Sequence, residues 1–357
     1  MNEETFVEGK KDTEIVGDAD GPPPRVLDAE ALFRDLIAAK GIVLAVSGGP
    51  DSVALMRLAA DWAKASRTPP LFVATVDHGL RQGSAEEAAH VARWAQTLGL
   101  PHRTLLWEGE KPTTRLQERA REARYALLCD YAHSVDADHL LTAHHADDQA
   151  ETILFRLLRG SGIDGLAGMA RRTQRGHIIH CRPLLDHPKE ALIAFCKRCE
   201  QPFFHDPSNE NVLFARTRLR RLLPMLGEEG LDRDALLRLA RRATRAADAL
   251  DFSAQNLRAT LPATREDGRV SLSILTLADA PRELFMRVVA IEIETLAPAR
   301  PLRLERLESL SEALHDAVKR QVSWHGTLAG FTLDLSPSGS LTINPEKPRR
   351  RGANHAP

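Results

Sequence analysis

A doubly wound parallel α/β sheet, followed by a second, mainly helical domain with a small β portion, is the fold this sequence predicts. Three observations carry that expectation. Short apolar runs alternate with amphipathic stretches from residue 42 onward. The alternation fades after about residue 226. The chain has 357 residues, more than one compact domain ordinarily holds. A composition of 43% hydrophobic and 27% charged residues supplies a sizeable core and excludes a mainly disordered chain.

Residues 1–30 hold nine acidic and three basic side chains, include GPPP and show no helical period, so they read as a disordered acidic leader. The remainder carries a balance of +5, which suits a nucleic-acid partner without requiring one. Ile42–Val46 is the first strand, and a Gly-rich turn leads into a helix from Ser52 to about Ala65. Leu71–Val76 and Ala85–Leu98 repeat the pair. Strands His102–Leu106 and His139–Ala143 then bracket a long helix, Leu116–Ala132. This spacing builds βαβ units. Ligands of such sheets sit beyond the carboxyl ends of the strands, which directs attention to loops 47–52, 77–83 and 144–148.

A boundary near Gly227–Gly230 separates a catalytic domain, 31–227, from a C-terminal domain, 228–345, with a disordered tail at 346–357. In the second domain Leu231–Leu257 is one arginine-rich helix with Leu236, Leu239 and Ala243 on one face. Helices at 279–296 and 302–317 follow, then short antiparallel strands at Gln321–Trp324, Phe331–Leu335 and Ser340–Ile343. No apolar run reaches the ~18 residues of a membrane helix, and the N-terminus lacks a signal-peptide pattern. Four cysteines make no disulfide framework, so the cytoplasm is the expected compartment.

The first loop reads Ser47-Gly48-Gly49-Pro50-Asp51-Ser52. Its glycines allow a tight turn that presents backbone N–H groups, and the helix behind adds a positive dipole end. Ser47 and Ser52 offer hydroxyl donors to phosphate oxygens, and Asp51 is placed to hold Mg2+. GKS or GKT occurs nowhere, so the Walker loop is not indicated. A capped Gly-Gly turn is the structural alternative. The hexapeptide resembles the SGGxDS signature of the PP-loop ATP pyrophosphatases, which cleave ATP to AMP and pyrophosphate. That resemblance implies ATP as co-substrate.

Asp77-His78-Gly79-Leu80-Arg81 follows the second strand and is placed for nucleotide contact, with a polar loop and a capping Asp as the lesser alternative. His144-His145-Ala146-Asp147-Asp148-Gln149-Ala150-Glu151-Thr152 follows a strand. On a helix His144, Asp148 and Glu151 share one face, which suits a metal or an ammonium group. An N-cap explains one aspartate but not the whole cluster. Gly160-Ser161-Gly162-Ile163-Asp164-Gly165 matches GxGxxG but follows a helix, so it reads as a helix stop. Cys196-Lys197-Arg198-Cys199 lies within an expected helix, Lys189–Glu200, and lacks two further zinc ligands nearby. Arg216, Arg218, Arg220 and Arg221 lie on a basic helix with leucines on its other side, either a solvated face or a phosphate grip.

Six motifs in order from about Gly41 to Leu226 are similar to those of the tRNA(Ile)-lysidine synthases: SGGPDS, VDHGLR, AREARY, HHADDQAET, RGSGIDGLAGM, and DPSN followed by RTRLRRLLP. Thr217 departs from the family, which often has Asn there. The resemblance implies a ligase acting on the wobble cytidine of the isoleucine tRNA with a CAU anticodon, changing its specificity from Met to Ile. ATP would adenylate the oxygen at carbon 2, and free L-lysine would then displace AMP. The implied ATP site is Ser47 to Ser52 (Ser47, Gly48, Gly49, Pro50, Asp51 and Ser52) with His78, and Asp51 faces Mg2+. Arg124 would stabilise phosphoryl charge, while His144, Asp148 and Glu151 would bind lysine, the two carboxylates acting catalytically. Arg216, Arg218, Arg220 and Arg221 would contact tRNA or nucleotide phosphates. A homodimer is admitted, and the lack of a long apolar run leaves no membrane partner expected. Alternatives are a tRNA thiolase of the same superfamily, a metal-dependent phosphoesterase and a non-catalytic nucleotide-binding module.

Overall fold

The computed structural model describes residues 27–79, 83–109, 116–204, 215–266, 268–297 and 302–346. Leu80, Arg81, the 205–214 segment containing DPSN, the tail and most of the acidic leader lie outside them. Asp28, counted with the leader by charge, instead caps the first helix by accepting from the N–H groups of Glu30 and Ala31.

The elements run α1 (Ala29–Phe33), β1 (Ile42–Ala45), α2 (Pro50–Ala65), β2 (Leu71–Asp77), α3 (Ser84–Thr97), β3 (His102–Leu106), α4 (Leu116–Ser134) and β4 (His139–Leu141). Next come α5 (Ala146–Leu157), α6 (Ile163–Leu166), β5 (Arg172–Arg175), β6 (Ile178–Cys181), α7 (Lys189–Arg198), α8 (Ala215–Glu228) and α9 (Arg233–Ala259). The chain finishes with β7 (Ala263–Glu266), β8 (Arg269–Ser273), α10 (Arg282–Leu296), α11 (Leu304–Arg320), β9 (Trp324–Leu328), β10 (Phe331–Leu335) and β11 (Ser340–Pro345). Two compact units result, Met1–Ala143 with His187–Phe204, and His144–Asp186 with His205–Pro357.

In the first unit the strands lie in the order β3-β2-β1-β4, all parallel, with Ile42 opposite both Leu71 and His139. Every residue of β1 is buried, as expected of a strand covered on both faces. Strand order reverses its direction of growth at β1, so the loop leaving β1 occupies the switch point where such sheets bind ligands. Phe33 packs on Trp62 (centroids 5.2 Å apart), fixing α1 to α2.

In the second unit α5, α8 and α9 share a core of Ala150, Ile153, Leu154, Leu219, Leu236 and Ala240. A five-stranded antiparallel sheet, β7-β8-β11-β10-β9, packs with α10 and α11 around Phe285, Leu314, Leu333 and Ile343. The expected strand at Gln321 is corrected: Gln321 has φ 55° and ψ 44° and caps α11, and β9 begins at Trp324. The helix expected to run to Glu200 ends at Arg198, with Cys199 as its cap.

Candidate active site

The turn after β1 is built by its own side chains. Gly48 has φ +91°, a left-handed conformation that glycine alone adopts at little cost. Ser47 N–H donates to Ser52 Oγ (3.1 Å), and Ser52 Oγ–H donates to Gly49 O (3.0 Å). Ser52 is buried and braces the loop, whereas Ser47 is exposed and presents the accessible hydroxyl. Gly49 is the N-cap of α2 and Pro50 its first residue, a position where the missing N–H is tolerated. Asp51 follows in the first turn, with Lys189 Nζ 4.0 Å from its Oδ2.

Two further expected residues belong to this unit. His78 is half-buried beyond β2 and meets Trp107 edge-on, centroids 5.9 Å apart. Arg124 on α4 is half-buried; desolvation lowers its pKa, Tyr125 opposes that, and Arg121 adds to it. A guanidinium stays protonated regardless, so the direction marks a poorly solvated cation suited to an anion. Among the described residues no carboxylate pairs with Arg124.

The second unit carries the His/Asp cluster, arranged differently from a single helical face. Helix α5 starts at Ala146, so His144 precedes it, with its ring 6.2 Å from that of His180. The extended backbone at His145 stops the helix from reaching back to His144. His145, which sequence reading passed over, is the N-cap: its N–H donates to Asp148 Oδ2 (3.2 Å), and Asp148 N–H donates to its Nδ1 (3.4 Å). This reciprocal pair is a capping box with His in the usual Ser/Thr place. Arg233 Nη1 donates to Asp147 Oδ1 at 3.0 Å.

Glu151, one turn along, is buried at 3% exposure and accepts from Arg220 Nε of α8. Arg220 Nη2 lies 3.4 Å from Glu151 Oε2 and 3.9 Å from Asp148 Oδ1. The structure therefore brings Asp148, Glu151 and Arg220 together, with the carboxylates holding a planar cation. Arg218 and Arg221 are exposed on α8, while the side chain of Arg216 lies outside the described residues.

Helix α5 is braced by the glycine-rich segment after it. Gln149 Nε2 donates to Met169 O (2.9 Å) and Met169 N–H to Gln149 Oε1 (2.7 Å). Arg156 Nη1 donates to Gly165 O (2.9 Å) and Gly168 O (2.6 Å). Gly168 needs its φ of +76° and its lack of a Cβ, which would lie 2.8 Å from Gln149 Nε2. These contacts account for a motif that reads from sequence only as a helix stop.

A parallel sheet with a glycine-serine-aspartate loop at its switch point defines the class: residues 27–226 match the PP-loop domain family, to which the chain belongs. The chain is 44% identical to the tRNA(Ile)-lysidine synthase of Bradyrhizobium diazoefficiens over 355 residues, covering 94% of this chain and 98% of the relative. It is 50% identical to that of a Methylobacterium species over 317 residues, covering 88% and 91%. The chain belongs to the tRNA(Ile)-lysidine synthase family. It is a ligase that makes lysidine in tRNA, with ATP as co-substrate. Among solved structures, the U34-tRNA thiolase NcsA of Methanococcus maripaludis shares the fold, with TM-score 0.52, 16% identity, and coverage of 60% of this chain and 76% of that one.

Proposed function

We propose that this chain joins the ε-amine of free L-lysine to carbon 2 of the wobble cytidine of the CAU-anticodon isoleucine tRNA, through an adenylated tRNA. The observation that carries the reading is the buried Glu151 with Asp148, two carboxylates already holding a nitrogen cation. A lysine ammonium carries the same charge as the Arg220 guanidinium it would displace, with three N–H donors on one nitrogen in place of a planar fork.

In this reading Ser47, the backbone of Gly48 and Gly49, and the N-terminus of α2 hold the ATP phosphates. Pro50 fixes the helix start, Ser52 keeps the loop shut beneath Ser47, and His78 contacts the nucleotide. Asp51 suits Mg2+, which ordinarily takes one or two carboxylates together with substrate phosphates. Bound there, the ion would neutralise phosphate charge. Arg124 supplies a desolvated positive charge for the phosphoryl group as pyrophosphate leaves. Asp148 or Glu151 accepts the ammonium proton, and the amine attacks carbon 2 and expels AMP. His144 borders the lysine site. Arg216, Arg218, Arg221 and the exposed arginines of α9 take tRNA phosphates, so residues 228–345 serve as a tRNA-contacting domain beside the catalytic 31–227.

A thiolase reading is less well supported. Burial pushes the Cys196 thiol up to about 12, with Cys199 and Asp51 adding to it, which leaves little thiolate for sulfur chemistry. Among the described residues no helix is long and apolar enough to cross a membrane, and the cytoplasm is the proposed compartment.

The test omits lysine. With Mg2+, ATP labelled in its α-phosphate and the CAU-anticodon tRNA, label should accumulate on tRNA and leave as AMP when lysine is added. A tRNA that never takes up label would defeat the reading.

A further inference from the structure

Phe204, six residues beyond α7, meets the phosphate loop by both backbone and ring. Its N–H donates to Gly48 O at 2.8 Å. Its ring lies so near that a Cβ on Gly48 would come 2.8 Å from Cδ2, and 3.3 Å from Val91 Cγ2 of α3. Trp94 and His90 of α3 hold that ring, with centroids 5.0 and 5.4 Å away. Gly48 is thus seated between an aromatic ring and a valine, with its carbonyl already taken.

The direction of that carbonyl sets the next donor. A trans peptide points its C=O and N–H in opposite directions, and the described residues contain no cis peptide. With Gly48 O turned onto Phe204, Gly49 N–H points away from it. Among the described residues Gly49 N–H donates to no backbone acceptor. This donor carries more weight than usual because Pro50 has none, leaving a gap before the N–H groups of the first turn of α2.

We propose that Phe204 is a positioning residue for ATP: its N–H fixes the Gly48–Gly49 peptide so that Gly49 N–H faces a phosphate oxygen, and its ring prevents the loop from sinking. The proposal rests on the reading of Ser47–Ser52 as the ATP loop. Nothing in the sequence around Phe204 signals the role, since the residue touches the loop across 156 positions.

The test separates backbone from ring. Replacing Phe204 by phenyllactic acid through nonsense suppression gives a backbone ester that deletes the N–H and keeps the ring. The expected result is a KM for ATP raised about tenfold, with the lysine KM and the melting temperature little changed. Phe204→Ala should raise the ATP KM as well, and Phe204→Leu should restore most of the loss. An ester variant with unchanged ATP KM overturns the proposal, as does a parallel rise in the ATP and lysine KM values with a lowered melting temperature. If Phe204→Ala does not fold, the ester, which alters a single N–H, decides alone. Ser47→Ala and Asp51→Ala are the controls. If they too leave ATP binding untouched, the ATP reading of the loop fails. If they weaken it while the ester does not, only the role of Phe204 fails.

Discussion

Arg220 donates through Nε to a carboxylate oxygen of Glu151 that is almost wholly buried, and its Nη2 reaches toward Asp148 at 3.9 Å. The Arg220 side chain is 38% exposed and that of Glu151 only 4%, so the pair joins a partly solvated cation to a buried carboxylate. Breaking such a pair costs less than breaking a fully buried one, so it can exchange one cation for another.

Glu151→Gln keeps the shape and deletes the charge. The lysine KM should rise about tenfold or more, because a charge-assisted bond becomes a neutral one. Adenylated tRNA should still form at close to the wild-type rate. Steady-state kinetics with lysine varied at saturating ATP and tRNA makes the measurement. An unchanged lysine KM with a lower melting temperature would assign Glu151 to holding α8 against α5.

Asp51→Ala should abolish pyrophosphate release. The side chain is partly exposed at the start of α2, so the melting temperature should move by no more than about 2 °C. Pyrophosphate release measured beside a thermal melt checks both halves, and wild-type release would remove Asp51 from the phosphate site.

Arg241, Arg242 and Arg245 are exposed on α9. If they meet tRNA phosphates, affinity should fall steeply with salt, and replacing all three by Gln should reduce the log–log slope by about 2. Filter binding across a salt series reads this directly. A flat slope in the native protein would exclude the phosphate role.

Asp138 accepts from Lys40 N–H (3.0 Å) and contacts His139 Nδ1 (2.7 Å) at the start of β4. Burial alone would raise its pKa, but these contacts outweigh it and the net direction is downward. A depressed folded-state value means the stabilisation is fully present above the unfolded value of about 4 and is lost as pH falls through the folded one. The melting-temperature gap between the native protein and Asp138→Asn should therefore be full at pH 7 and narrow progressively as the pH falls below about 4. A gap of undiminished size from pH 7 down to the acid limit of the folded state would contradict the assignment.

Much of the first unit was legible because β1 to β4 are apolar runs separated by amphipathic helices, and SGGPDS falls at a strand end. Strand β7 was not: Ala263–Glu266 is exposed along its whole length and carries no alternation. Strand β8 does alternate, burying Val270 and Leu272, but at five residues it passes for a loop beside the long helices. In the candidate site, residue types were legible while their pairing was not. Helical spacing put His144 on a face with Glu151, but the extended backbone at His145 starts the helix later. Arg220 read as a phosphate contact, because nothing local shows that it reaches Glu151 across 69 positions.

Every role proposed for these side chains depends on the transfer of lysine to the wobble cytidine of one tRNA. Radiolabelled lysine, ATP and Mg2+ incubated with purified protein and the CAU-anticodon isoleucine tRNA test it most directly. Label should enter that tRNA in an ATP-dependent way, map to the wobble nucleoside, and be absent when the wobble cytidine is replaced by uridine. Equal labelling of the uridine-substituted tRNA, or label that enters without ATP, would rule out ATP-dependent lysine transfer to the wobble cytidine.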